Sequence, residues 1–90
     1  MKIEENRIVY EQDNQEIGEI EFKEVKPGVV DVYHTYVDPD YQGQHIASKL
    51  VEELFKKLIK ENKLIIPSYS YVDHWVKKHP EYQDKIYQQQ

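Results

Sequence analysis

The chain predicts an α+β fold: a mixed, mostly antiparallel sheet with helices packed on it, in the order β-β-β-α-β-α. Three observations carry that expectation. Before residue 40 the apolar residues form alternating, β-branched and aromatic runs broken by turn chemistry. From Ile46 onward they recur at spacings of three and four, the period of a helix. A short apolar run, Leu64-Ile65-Ile66, then closes at Pro67 ahead of a second helical pattern.

Taken in order, Arg7 to Gln12 reads as a strand and Asp13-Asn14-Gln15 as a turn. Ile17 to Val25 alternates and forms a second strand. Ile17, Glu19, Glu21 and Lys23 face one way, Gly18, Ile20, Phe22 and Glu24 the other, and neither face is purely apolar. Lys26-Pro27-Gly28 turns the chain, because proline presets its backbone angle and glycine accepts a positive one. Val29 to Val37 is rich in β-branched and aromatic residues and completes a meander of three strands. Asp38-Pro39-Asp40 ends it, since proline cannot donate to the ladder.

The long helix follows. Ile46, Ala47, Leu50, Val51, Leu54, Phe55, Leu58 and Ile59 make one apolar stripe over about four turns. Lys56, Lys57, Lys60 and Lys63 crowd its negative end, and Asn62 is a stop residue. Leu64 to Ile66 returns after this crossover, so it lies parallel to the third strand. Ser68 or Ser70 caps a second helix carrying Val72, Trp75 and Val76, which ends before Pro80. Glu81 to Tyr87 adds one helical turn, and Gln88-Gln89-Gln90 is a frayed tail.

Ninety residues, 39% of them apolar, make one domain over 1–90 with a modest core. No run of about 18 apolar residues is present, and the polar start is unlike a secretory signal. A soluble, cytoplasmic protein without a membrane partner is the expectation. The absence of cysteine removes disulfides, thiolate metal sites and a cysteine nucleophile together. A net charge of −5 argues against nucleic acid, whose phosphates demand cations, and is compatible with an amine substrate.

Few residues carry chemistry. Tyr41 to Ser48 is a glycine-bearing turn that opens the long helix, where outward N–H groups and the helix dipole suit a phosphate. With Gly43 alone it also fits an ordinary tight corner, and it lacks the features of a P-loop or dinucleotide fingerprint. His34, mid-strand beside Thr35, fits a general base or a structural histidine. His45 and His79 read as loop residues and His74 as part of a solvated helical face. No histidine pair shows a metal-ligand spacing, so no metal is expected. Ser68-Tyr69-Ser70-Tyr71 places hydroxyls where the short strand ends, as ligand contacts or as a cap with aromatic packing. Trp75 reads as core, and Asp38, Asp40, Glu52 and Glu53 as solvated.

Together these elements resemble the GNAT superfamily of acyl-CoA-dependent N-acetyltransferases. That superfamily's signature, Gln/Arg-x-x-Gly-x-Gly/Ala at a helix start, reads here Gln42-Gly43-Gln44-His45-Ile46-Ala47, with His45 standing at a glycine position. The very small single-domain branch is similar at three further places: His34-Thr35-Tyr36-Val37, Pro67-Ser68-Tyr69-Ser70-Tyr71 and His79-Pro80-Glu81-Tyr82. The ordered set covers about Ile17 to Tyr87.

The resemblance implies acetyl-CoA as acyl donor, its pyrophosphate on the amides of Gln42, Gly43, Gln44, His45, Ile46, Ala47 and Ser48. The pantetheine arm would run by Tyr36 and Val37, where a backbone N–H would polarise the thioester carbonyl, with Ser68 also at the donor site, and the acceptor would be an unidentified amine, small or peptidic. Relatives in the branch often carry cysteine where this chain has Tyr69, and because this chain has no cysteine anywhere an acetyl-cysteine intermediate is excluded here. Direct transfer remains, with His34 as base and Tyr69 or Tyr71 protonating the leaving thiolate. The alternatives are a non-catalytic acyl-CoA-binding or sensing module on the same fold, and a small interaction domain without a ligand. The helices that often wall the acceptor site in ordinary family members have no counterpart before the second strand.

Overall fold

The computed structural model describes residues 1–88, and Gln89 and Gln90 of the expected tail lie outside them. It contains strands β1 (Lys2–Ile3), β2 (Arg7–Gln12), β3 (Gln15–Lys26) and β4 (Val29–Val37), helix α1 (Ile46–Lys60), strand β5 (Leu64–Pro67) and helix α2 (Ser70–Lys77). Short 3₁₀ turns span Pro39–Tyr41 and Pro80–Lys85. The sheet runs β1-β2-β3-β4-β5, with β5 parallel to β4 and every other pair antiparallel.

The expected architecture is present with local differences. β1 was not foreseen: two exposed residues carry no pattern, and only their pairing with Ile8 and Val9 makes them a strand. β3 exceeds the expected Ile17–Val25 because its hairpin turn is shorter than Asp13-Asn14-Gln15. Asp13 and Asn14 alone turn the chain, both at positive φ (54° and 63°), which lets Gln15 pair with Gln12. Neither Ser68 nor Ser70 caps α2. The capping position belongs to Tyr69, with no side-chain hydrogen bond, because the Ser68 hydroxyl is turned to Asp31 Oδ1. The last turn lies at Pro80–Lys85 rather than 81–87. Ile86 instead bridges to Ile65, and Tyr87 N donates to Ile65 O at 2.8 Å.

Ile8, Ile20, Phe22, Val30 and Val32 meet Leu50, Val51, Leu54 and Phe55 of α1 and Val72, Trp75 and Val76 of α2 in one core. Burying each large side chain contributes roughly 1.5–3 kcal/mol. Gly18 sets how closely α1 approaches the sheet. A Cβ there would lie 3.0 Å from Ile46 Cγ2 and 3.3 Å from both Leu50 Cδ1 and Tyr36 O. The first turn of α1 thus rests on bare backbone of β3.

A bulge in β4 positions the functional residues. Phe22 pairs with Val32 and Glu21 with His34, which leaves Tyr33 as the extra residue. Val30 and Val32 are buried before the bulge, whereas Thr35 takes the inward position after it. The inward parity therefore changes from even to odd within one strand. His34 and Tyr36, opposite Glu21 and Glu19, share the other face.

Candidate active site

β5 accompanies β4 only from Val29 to Val32, where Pro67 is the last partner. Tyr69 N then donates to Val32 O at 3.2 Å, and the chain turns into α2. From Tyr33 to Val37 the outer edge of β4 has no strand beside it among the described residues. Proline at the end of β5 lacks the N–H needed to continue the ladder, so the sheet splits here.

A cavity of about 360 Å³ occupies this split on the helix side. Thr35 and Tyr69 line it toward the split, Tyr71 beside Ser48 of α1, Val37, Ile46 and Ala47 between β4 and α1, and Tyr41, Gln42, Gly43 and His45 at the turn before α1. Gly43 holds φ at +88°, which glycine alone adopts without strain. His45, the N-cap of α1, is also left-handed (φ 61°) and offers no side-chain cap. A glycine would adopt this backbone shape without strain. Among the described residues, none of the N–H groups from Gly43 to Ser48 donates a hydrogen bond, and the first turn of α1 holds no acidic side chain. Alternating left-handed residues at a helix start make a concave, partly positive backbone surface suited to an anion.

The other end of the cavity is polar but incompletely paired. Thr35 is 7% exposed, and its Oγ1 is buried without a hydrogen-bond partner among the described residues. The Tyr71 phenol is pushed above its usual 10.0 by burial, an effect partly opposed by a hydrogen bond with Ser48. It therefore carries its proton at neutral pH. The Tyr69 ring meets that of His34 edge-on, with centroids 5.7 Å apart.

Of the expected donor residues, Val37, Gln42, Gly43, His45, Ile46 and Ala47 line the cavity, as do Tyr69 and Tyr71. Tyr36, Gln44, Ser48 and Ser68 do not. Tyr36 lies on the opposite face beside Glu16 and Glu19, Ser48 Oγ accepts from Trp75 Nε1 at 2.8 Å, and Ser68 Oγ donates to Asp31. His34 sits on the open sheet face, its Nε2 4.0 Å from Glu21 Oε1, and reaches the cavity only through Tyr69. Donor atoms of Glu19, Glu21 and His34 fall within 4.8 Å of one another, a grouping that cross-strand pairing creates and sequence spacing hides. Glu19 is already tied to Arg7 Nη1 at 3.0 Å. Thr35 and Tyr41 were missed as lining residues. The His-Thr dipeptide was visible, but which of its two members faces inward depends on the bulge.

The remaining aromatics are structural. Trp75 stacks on His79 at 3.7 Å and meets Phe55 edge-on at 5.3 Å, and His79 Nδ1 lies 2.7 Å from Trp75 O. No described helix is long and apolar enough to cross a membrane.

Comparison with known proteins places this geometry. An NMR structure of a GCN5-like protein from Staphylococcus aureus is 27% identical, with a TM-score of 0.78 over 99% of this chain and 88% of that one. An N-acetyltransferase from Staphylococcus aureus Mu50 shares the fold at 19% identity and a TM-score of 0.61, over 84% of this chain and 50% of that one. A ribosomal-protein-alanine N-acetyltransferase from Brucella melitensis biovar Abortus 2308 does so at 19% identity and 0.64, over 93% and 62%. No curated protein matches in sequence. The model of the GCN5-related N-acetyl-transferase family matches residues 7–85, nearly the whole domain, and the chain belongs to that family.

Proposed function

We propose that the protein transfers the acetyl group of acetyl-CoA directly to an amine, without a covalent enzyme intermediate. The observation that carries this reading is the cavity at the β4–β5 split, joining the unpaired N–H groups of the α1 start to the unpartnered Thr35 hydroxyl. Both ends fit the donor: an anion cradle for its pyrophosphate and a buried hydroxyl for its polar arm or acyl end. When bound, acetyl-CoA supplies an activated thioester.

The chain's own residues do the rest. Gly43 to Ser48 orient the phosphates through the backbone, and Val37, Ile46 and Ala47 exclude water from the arm. The acceptor comes from the open face of the sheet, where His34 takes the proton that the amine loses. Glu21 Oε1 lies 4.0 Å from His34 Nε2 across the strand pair. Tyr71, protonated at neutral pH, gives a proton to the leaving thiolate, and the Tyr69 ring packs edge-on against His34. With no cysteine in the chain, a ternary complex is the route left.

The test is CoA release from acetyl-CoA across an amine panel, wild type against His34→Ala. Amine-dependent release that falls about 10²-fold or more in the variant supports the reading. Release at the spontaneous rate in both proteins removes the enzyme and leaves an acyl-CoA-binding module.

A further inference from the structure

Thr35 lines the cavity, and the donor assignment leaves open which ligand atom its hydroxyl meets. Its hydroxyl is buried, unpartnered and at the end of the cavity away from the phosphate cradle. An orphaned hydroxyl is a cost to the folded chain, because water satisfied it in the unfolded one. Valine has nearly the same shape, suits a strand and would remove that cost. The arrangement makes sense if a ligand atom completes the hydroxyl.

The position says which atom. With phosphates at the turn before α1, the donor's far end runs along β4 to Thr35 and Tyr69, next to the split through which His34 is approached. The reacting carbonyl must lie at that split for an amine on the open face to attack it. We infer that Thr35 is a catalytic residue whose O–H donates to the thioester carbonyl oxygen and holds the negative charge that develops there. This rests on the donor assignment above.

The step balances. The amine nitrogen forms the C–N bond while the carbonyl electron pair moves onto the oxygen facing Thr35. When the C=O bond re-forms, the C–S bond breaks. His34 has taken one proton from nitrogen and Tyr71 returns one to sulfur, so no co-reactant is needed.

Three proteins test it: wild type, Thr35→Val and Thr35→Ser, each titrated with acetyl-CoA and with CoA, assayed by CoA release and melted without ligand. Thr35→Val is expected to raise the unfolding midpoint by a few degrees, because it deletes the orphan. Its affinity for acetyl-CoA drops about tenfold, its affinity for CoA stays within about twofold, and kcat falls about 10²-fold. Thr35→Ser restores kcat to within several-fold of wild type. Equal loss of acetyl-CoA and CoA binding in Thr35→Val, or unchanged kcat, overturns the assignment while leaving the donor site standing. A wild-type protein that binds neither ligand overturns the donor site, and this inference with it.

Discussion

The two halves of β4 do different work. Val29 to Val32 pair on both sides, with β3 and β5, and bury three valines. His34 to Val37 pair with β3 alone after the bulged Tyr33, Tyr33 and Tyr36 are exposed, and His34 and Thr35 lie on opposite faces. The bulge at Tyr33 and the proline at the end of β5 mark the boundary. The closed half carries the packing, and the open half carries the proposed chemistry. A small domain, with only about 5–15 kcal/mol in total, can leave five strand residues open on one edge because the adjoining four are closed on both.

The comparison breaks most visibly by emptying the closed half. Ile65, fully buried, pairs with Val30 across the β4–β5 ladder. Ile65→Ala should cost about 2–5 kcal/mol in urea unfolding, since the methyl groups leave a cavity that a two-sided ladder cannot collapse into. A cost near zero would mean that β5 is no part of the stabilising half.

In the open half the opposite result is expected. Tyr71→Phe should lower kcat about 10²-fold and alter stability by less than about 1 kcal/mol. Unchanged turnover would move the proton donor elsewhere, with Tyr69→Phe as the next variant to assay.

His45 sharpens the comparison at the cradle. Its left-handed backbone (φ 61°) is strained for a side chain, and glycine relieves it. His45→Gly should stabilise the fold by about 1 kcal/mol and leave acetyl-CoA affinity within a few-fold, because the N–H groups are kept. Destabilisation would show that the imidazole itself holds the turn.

The smallest effect belongs to the far end of α1. Lys63 Nζ joins Glu24 at 2.8 Å and Glu61 at 3.2 Å, and Lys57 holds Glu61 at 2.7 Å. The Lys63 ammonium keeps Glu24, and chiefly the Lys57 ammonium keeps Glu61, below the ordinary 4.5. Depressed carboxyl values add stability that is present above 4.5 and is lost as pH falls through the folded-state values. The unfolding midpoint should decline below about pH 4.5, and Lys63→Met should flatten that decline slightly. An identical slope in the variant would put the acid sensitivity elsewhere.

Much of the closed half was legible in the sequence. Arg7 to Gln12, Val29 to Val37 and the start of α1 at Ile46 follow directly from alternation and from the three-four stripe. β1 was illegible because Lys2 and Ile3 are ordered by partners, not by pattern. The site was legible by likeness and not by face. Nothing local to Val32-Tyr33-His34 announces the bulge, so His34 and not Thr35 drew attention as the cavity's neighbour. Ser68 read as a ligand hydroxyl because its actual partner, Asp31, is 37 residues away. Side-chain pairs at such separation depend on the finished fold.

The central claim is that the open half of β4 and the start of α1 form one acyl-donor site. Amide chemical shifts during an acetyl-CoA titration test it most directly. The account predicts that the largest changes fall on Gly43 to Ser48 and on Thr35 to Val37, with Val29 to Val32 nearly still. No change at saturating acetyl-CoA, or changes confined outside those two segments, would contradict it.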